Sequence, residues 1–168
     1  SSHYSMDKAT NLLSIGIKKI KVNSETREMK KAAILEAIEA AQKDGKSFFI
    51  VIANMMTTMF GSVDDVQLLT TCLEEKDCQY QLHVDGAYGG FYFPFAKKDN
   101  HLNFENPNIT SFTMDAHKMA QAPYGTGMFI IRKGFMQYAN TKEASYVEGE
   151  DYTPVSYTHL RAHETTSH

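Results

Sequence analysis

Residues 48–53 read Phe-Phe-Ile-Val-Ile-Ala (FFIVIA), six apolar positions without the polar alternation of a half-exposed strand. A run this short, rich in β-branched and aromatic side chains, suits a strand covered on both faces in a parallel sheet. Its neighbours decide the class. Upstream, Ile34, Leu35, Ile38 and Ala41 recur at helical spacing in a segment opened by Asn23 or Ser24 and stopped by Gly45 after Asp44. Downstream, Ser62 caps a helix whose buried stripe is Val66, Leu69 and Leu73. Residues 79–84 then return to strand, ending at Asp85 and the glycine-containing loop 86–90, and residues 109–113 and 128–131 read as two more strands. Strands and helices in this order imply an α/β domain with a mostly parallel sheet flanked by helices.

Toward the amino terminus, Ser5 is placed to cap a helix over 6–14, with Met6, Ala9, Leu12 and Leu13 on one face, and residues 17–22 read as a short strand. The opposite end breaks the pattern. Residues 154–168 (PVSYTHLRAHETTSH) hold three of the seven histidines and carry no element signal. They read as a non-native tail resembling translated sequencing adaptor, so His159, His163 and His168 are not taken for a metal cluster and no metal is expected.

At 168 residues the chain is one domain or a large piece of one, and 42% hydrophobic with 22% charged residues is enough for a core. Seventeen basic against twenty acidic side chains give a net charge of −3, which argues against a protein built around nucleic-acid phosphates. Cys72 and Cys78 are too few for a disulfide scaffold and match no zinc or redox spacing, so a reducing, cytoplasmic setting is expected. The longest apolar stretch, 48–56, is interrupted by Asn54 and falls short of the roughly 20 residues of a membrane span. The chain opens at Ser1 without an initiator Met, as if cut from something longer.

Parallel sheets bind ligands at the carboxyl ends of their strands, and the chemistry-bearing residues fall there. Asp85, in HVDGAYGG, closes an apolar strand, and the small residues after it let a flat ligand approach the backbone. Taken alone it is more simply a turn-starting Asp. Lys118, in SFTMDAHKMAQAPYGTG, follows a strand, where a desolvated lysine can serve as a Schiff-base nucleophile. Most lysines are merely solvated, and a His ahead of a helix, such as His3, is more often a cap. Together they change the odds: a pyridine-type cofactor needs an anion beside its ring nitrogen, an amine, and a flat group on its face.

HYSMDKA, the TT..GS.DD stretch over 57–65, HVDGAYGG and DAHK…PYGTG stand in the order and approximate spacing of the group II pyridoxal-phosphate-dependent amino-acid decarboxylases, which the chain resembles over 1–153. The resemblance implies part of the large domain of the aspartate-aminotransferase fold, truncated at both ends, with pyridoxal 5'-phosphate as cofactor. It implies that Lys118 bears the cofactor as a Schiff base, that Asp85 pairs with the pyridine nitrogen, and that His3 stacks on the ring. Ala87 would pack on the other face, His117 would lie near the phosphate, and Thr58 near the ring or the substrate carboxylate. Gly86 stands where many relatives have Ala, and Met56 where they usually have Gly. The implied reaction turns an L-amino acid into its amine and carbon dioxide, in a homodimer acting on a small-molecule amino acid with no nucleic acid or membrane partner. Transamination and decarboxylation-coupled deamination would use the same Lys118 and Asp85, and the isolated chain is expected to be inactive. Of the remaining features, Tyr88, Phe91, Tyr92, Phe93 and Phe95 read as packing or dimer contacts, and Lys97, Lys98 and Asp99 as a solvated turn. Asp115 is unfavourable so near a phosphate site unless it caps or points away.

Overall fold

The computed structural model describes residues 2–97 and 101–135. Within them lie four helices and four strands: α1 (Ser5–Leu13), α2 (Lys31–Lys43), β1 (Phe48–Asn54), α3 (Val66–Glu75), β2 (Gln79–Gly86), α4 (Phe93–Ala96), β3 (Ile109–Asp115) and β4 (Gly127–Ile131). The strands form one sheet in the order β1-β2-β3-β4. β1, β2 and β3 are parallel and β4 runs antiparallel to β3. The carboxyl ends of three strands and the start of the fourth therefore share one edge.

The core lies between the sheet and the pair α2 and α3. Ile34 and Ile38 of α2 and Val66, Leu69, Cys72 and Leu73 of α3 meet Ala53, Leu82, Val84, Ile109 and Phe112 from the strands, all of them buried. Only that face of the sheet is covered among the described residues. Along β2 the even positions Leu82 and Val84 are buried while Gln79 and Gln81 are exposed. On β1, Phe48 and Ile50 are 52% and 59% exposed. The expectation that FFIVIA is covered on both faces is thus corrected: continuous apolar sequence marks both faces, but the described helices pack on one.

The pairing of β2 with β3 carries an irregularity that sets which side chains face where. Leu82 pairs with Ile109, yet His83 pairs with Ser111, so Thr110 is an extra residue on β3. Its hydroxyl donates to Leu82 O at 2.8 Å and its carbonyl accepts from Arg132 N at 2.8 Å. A bulge of this kind resets the side-chain period. Ile109 and Phe112 both reach the core, and Ser111 and Thr113 come to stand beside His83 and Asp85.

Several local readings are revised. Ser5 lies inside α1 rather than capping it, and α1 buries no residue. Residues 17–22 are not a strand; Val22 bridges Met29 around a turn in which Asn23 Oδ1 accepts from the N–H groups of Glu25 and Thr26. That turn delays α2 to Lys31. Such side-chain to backbone bonding is the usual way Asn competes with helix. α3 is capped by Asp65, whose Oδ1 accepts from Leu68 N at 3.0 Å, and not by Ser62. Cys72 and Cys78 are free. No helix among the described residues is long and apolar enough to cross a membrane. Lys98, Asp99 and the tail 154–168 lie outside the described residues.

Candidate active site

A cavity of about 540 Å³ opens at the shared strand edge. His3, Thr58, Asp85, Ala87 and Lys118, five of the six residues expected at the site, line it. They arrive from four separate stretches of chain, as ligand sites at the ends of parallel strands require. A second depression of about 650 Å³ near α3, lined by Gln67, Thr70, Glu74 and residues of the 101–108 loop, holds none of them.

Asp85 is the next-to-last residue of β2 and is half-buried. Its Oδ1 accepts from Ala87 N at 3.1 Å, which fixes the carboxylate and leaves Oδ2 for a ligand. The Ala87 carbonyl in turn accepts from Asp115 N at 3.3 Å, so one alanine ties the ends of β2 and β3 together. The glycines that follow act differently from the expectation that they admit a flat ligand. A Cβ on Gly86 would stand 2.5 Å from the Phe112 ring, one on Gly89 2.4 Å from Met55 O, and one on Gly90 2.7 Å from Gly86 O. They are small because the loop packs onto its own protein.

Lys118 follows β3 by three residues, its N–H donating to Asp115 O at 3.1 Å. Its Nζ lies 3.0 Å from Asp115 Oδ2. The acid that looked misplaced in the sequence therefore points at the amine. The same Oδ2 is 3.8 Å from His117 Nε2. His117 does not line the cavity: its side chain is 12% exposed, beside the Tyr124 ring at 5.2 Å, and its Nδ1 is buried with no hydrogen-bond partner. A buried polar atom left unpaired is unusual enough to need a reason.

His3 and Thr58 stand at the mouth and are exposed. Ser5 N donates to His3 Nδ1 at 3.3 Å, and the Ser5 hydroxyl lies 2.8 Å from the same nitrogen. An acceptor Nδ1 puts the proton of the neutral ring on Nε2. Thr57 is turned to structural work, its hydroxyl 2.7 Å from Ser62 Oγ and its N–H on Ser62 O at 2.9 Å. Asp64 is structural too: its Oδ2 accepts from Asn54 N at 2.8 Å and Asn54 Nδ2 at 2.6 Å. The TT..GS.DD stretch is therefore mainly a device that closes the loop after β1 and starts α3.

Sequence reasoning did not place His83, Thr113, Asn54 or Met56 on this wall, where the structure puts all four. His83 is two residues before Asp85 on the same face of β2, so strand alternation could have found it. Its ring nitrogens are both engaged, Nδ1 with Ser111 Oγ at 2.8 Å and Nε2 with Thr113 Oγ1 at 3.0 Å, and Phe129 stacks on it at 5.9 Å. Burial holds its pKa below the ordinary imidazole value, with the Asp85 carboxylate opposing less strongly. Among the described residues no group of three or more His, Cys, Asp or Glu is placed to hold a metal ion.

An amine and a fixed carboxylate facing one cavity can hold a carbonyl compound that carries a basic ring nitrogen. Comparison with known proteins bears on this directly. The chain is 45% identical over 152 residues to a tryptophan decarboxylase of Clostridium sporogenes, which covers 90% of this chain and 36% of that protein. Among solved structures, mouse CSAD superposes with a TM-score of 0.71 at 21% identity, over 89% of this chain and 32% of that one, a likeness of fold. Oryza sativa TDC, solved with PLP and tryptamine, superposes with a TM-score of 0.64 at 25% identity, over 78% of this chain and 28% of that one. The chain spans about a third of the length of the curated relatives it matches. Residues 1–161 match the pyridoxal-dependent decarboxylase conserved domain, and with the fold of such enzymes around that cavity the chain belongs to the pyridoxal-dependent decarboxylase family.

Proposed function

We propose that this chain is the central part of the cofactor domain of a pyridoxal-phosphate-dependent decarboxylase that converts an L-amino acid to its amine and carbon dioxide. The observation that carries the reading is Lys118 and Asp85 facing one cavity at the carboxyl edge of a parallel sheet, in a chain of this family. Coverage of about a third of each relative supports residues 1–153 being a portion of a larger domain.

The residues present fit the cofactor. The donor set is an amine, a carboxylate fixed by a backbone N–H, and an aromatic imidazole at the mouth. The unpaired Nδ1 of His117, one residue from Lys118, is a buried group with hydrogen-bonding capacity to spare, which supports His117 beside the phosphate although its ring is not on the cavity wall. Bound there, pyridoxal phosphate supplies an electron sink for the pair left on Cα when the carboxylate departs.

The chain's own residues do the rest. Lys118 provides the tethering nitrogen at Nζ, and Asp115 orients that side chain from 3.0 Å. Asp85, its carboxylate kept rigid by Ala87 N, would hold a proton on the ring nitrogen. Ala87, His3 and Thr58 line the same cavity; Ala87 and His3 would bound the two faces of the ring, and Thr58 would serve the ring or the substrate carboxylate. His83, locked by two hydroxyls and with its pKa lowered by burial, resists becoming a cation beside Asp85. The tryptophan decarboxylase relative supports an aromatic amino acid as substrate. The finer reading of a homodimer follows from the resemblance and is tested by sedimentation of the full-length enzyme; the cytosolic setting rests on the cysteine usage and is tested by cell fractionation.

The deciding experiment incubates the full-length enzyme and cofactor with a panel of amino acids, measuring carbon dioxide, amine and keto-acid products. Amine with stoichiometric carbon dioxide is expected. No carbon dioxide from any amino acid overturns the reading, and a keto acid in place of the amine points to transamination. The visible absorbance of the bound cofactor should vanish in Lys118→Ala; absorbance that survives would remove Lys118 from its role.

A further inference from the structure

We propose that Met56 is a specificity-determining residue, a thioether held on the cavity wall to select side chains with a π face over saturated ones of equal size. The inference rests on the decarboxylase reading and concerns the same cavity.

Three observations carry it. First, Met56 has φ +64°, a left-handed backbone that side-chain-bearing residues seldom adopt and that favours glycine. A residue kept there against its conformational preference is a candidate for a functional role. Second, its side chain is packed against the glycine loop. A Cβ on Gly89 would lie 2.4 Å from Met55 O, and 2.8 Å and 2.9 Å from Met56 Cβ and Cγ, so Met56 is in contact with a position that the backbone already keeps as glycine. Third, Met56 is not alone: Met6, Met59 and Met128 line the same cavity, so four of the nine methionines in the chain converge on it. They come from α1, the loop after β1 and β4; Met59 and Met128 are 80% and 42% exposed, which leaves Met6 and Met56 as the more enclosed members.

The chemistry follows from the sulphur. A thioether is polarisable and flexible, fits irregular shapes, and makes favourable contacts with aromatic rings that a branched hydrocarbon of the same volume does not. A wall of this kind beside Phe129 and Tyr88 discriminates by polarisability more than by size. Met56 is the member whose backbone geometry is specific to its place, so its substitution is the informative one.

The test uses the full-length holoenzyme and the variants Met56→Leu and Met56→Gly. Leucine keeps the bulk and removes the sulphur; glycine suits the left-handed backbone and removes the side chain. The first readout is the ratio of kcat/KM for phenylalanine over cyclohexylalanine, two substrates of similar volume. The second, independent of turnover, is the ratio of affinities for phenethylamine and cyclohexylethylamine by calorimetry. Wild type should favour the aromatic partner in each pair, and Met56→Leu should lower both preferences by about two- to tenfold. Met56→Gly should lower them as far without lowering the melting temperature. Ratios unchanged in both variants, or no aromatic preference in wild type, overturn the inference. A wild-type enzyme that releases no carbon dioxide sinks the decarboxylase reading instead, while the amine affinities still decide the role of Met56.

Discussion

His83 is an imidazole on the cavity wall whose burial makes it resist protonation. Burial lowers its pKa, so the folded chain binds a proton there less readily than the unfolded chain does. The sign is then fixed. The associated penalty is absent above the ordinary value of 6.5 and grows as pH falls below it, as the unfolded state takes up the proton first. Thermal unfolding of the full-length enzyme between pH 7.5 and 5.5 should show stability falling toward acid. His83→Gln, a neutral replacement that keeps hydrogen-bonding capacity toward Ser111 and Thr113, should flatten that slope. An identical slope in the variant would remove His83 from the account. Lys118 and Asp85 were legible only through the ordered set of motifs, because an Asp at a strand end and a lysine after a strand are each weak signals taken singly. Asp115 was visible as an anomaly and not as a partner of Lys118, since a contact across a turn depends on where the turn sends each side chain.

Elements fix these residues through a few local bonds, and two substitutions test them. Asp65→Ala removes the carboxylate that accepts from Leu68 N and should cost about 1 kcal/mol in chemical denaturation. The adjacent Asp64→Ala acts on a different element: it strips Asn54 of two bonds at the end of β1 and so should also disturb the cavity wall, seen as weaker cofactor retention. Asp65→Ala should leave cofactor retention unchanged. Gly89→Ala is harsher, because its methyl meets the Met55 carbonyl, which cannot move without shifting β1. We expect a loss of about 1–3 kcal/mol or more, read by the same denaturation. The strands and the centres of α2 and α3 were readable from apolar spacing. Their starts were not: Ser62 and Asp65 are both good caps by residue type, and only the path of the loop after β1, where Thr57 claims Ser62, settles which one caps. Likewise Asn23 looks like a helix opener and instead closes a turn.

At the scale of the molecule, the described helices cover one side of the sheet, and the edge strand β1 leaves Phe48 and Ile50 52% and 59% exposed on the other. Exposed apolar side chains of this kind bind hydrophobic dyes and partners. The 168-residue chain by itself should enhance the fluorescence of such a dye, and Ile50→Ser should reduce the enhancement; no enhancement would mean that the face is covered in solution. The α/β class was legible because it depends on element order, whereas which face is covered depends on chain packing that no local pattern encodes. The bulge at Thr110 has a last consequence, for how the molecule tolerates changes of length. Strand β3 is measured out in two rulers whose marks are out of phase by one residue, one ruler ending at Ile109 and the other beginning at Ser111. Removing Thr110 brings the rulers into phase: Ile109 stays in the core and Ser111 and Thr113 stay beside His83 and Asp85. Removing Phe112 or Thr113 instead would carry hydroxyls into the core or hydrocarbon beneath Asp85. In this strand the position that breaks the pattern is thus the one whose deletion keeps every other side chain on its own face of the sheet, at the cost of the bonds to Leu82 O and from Arg132 N.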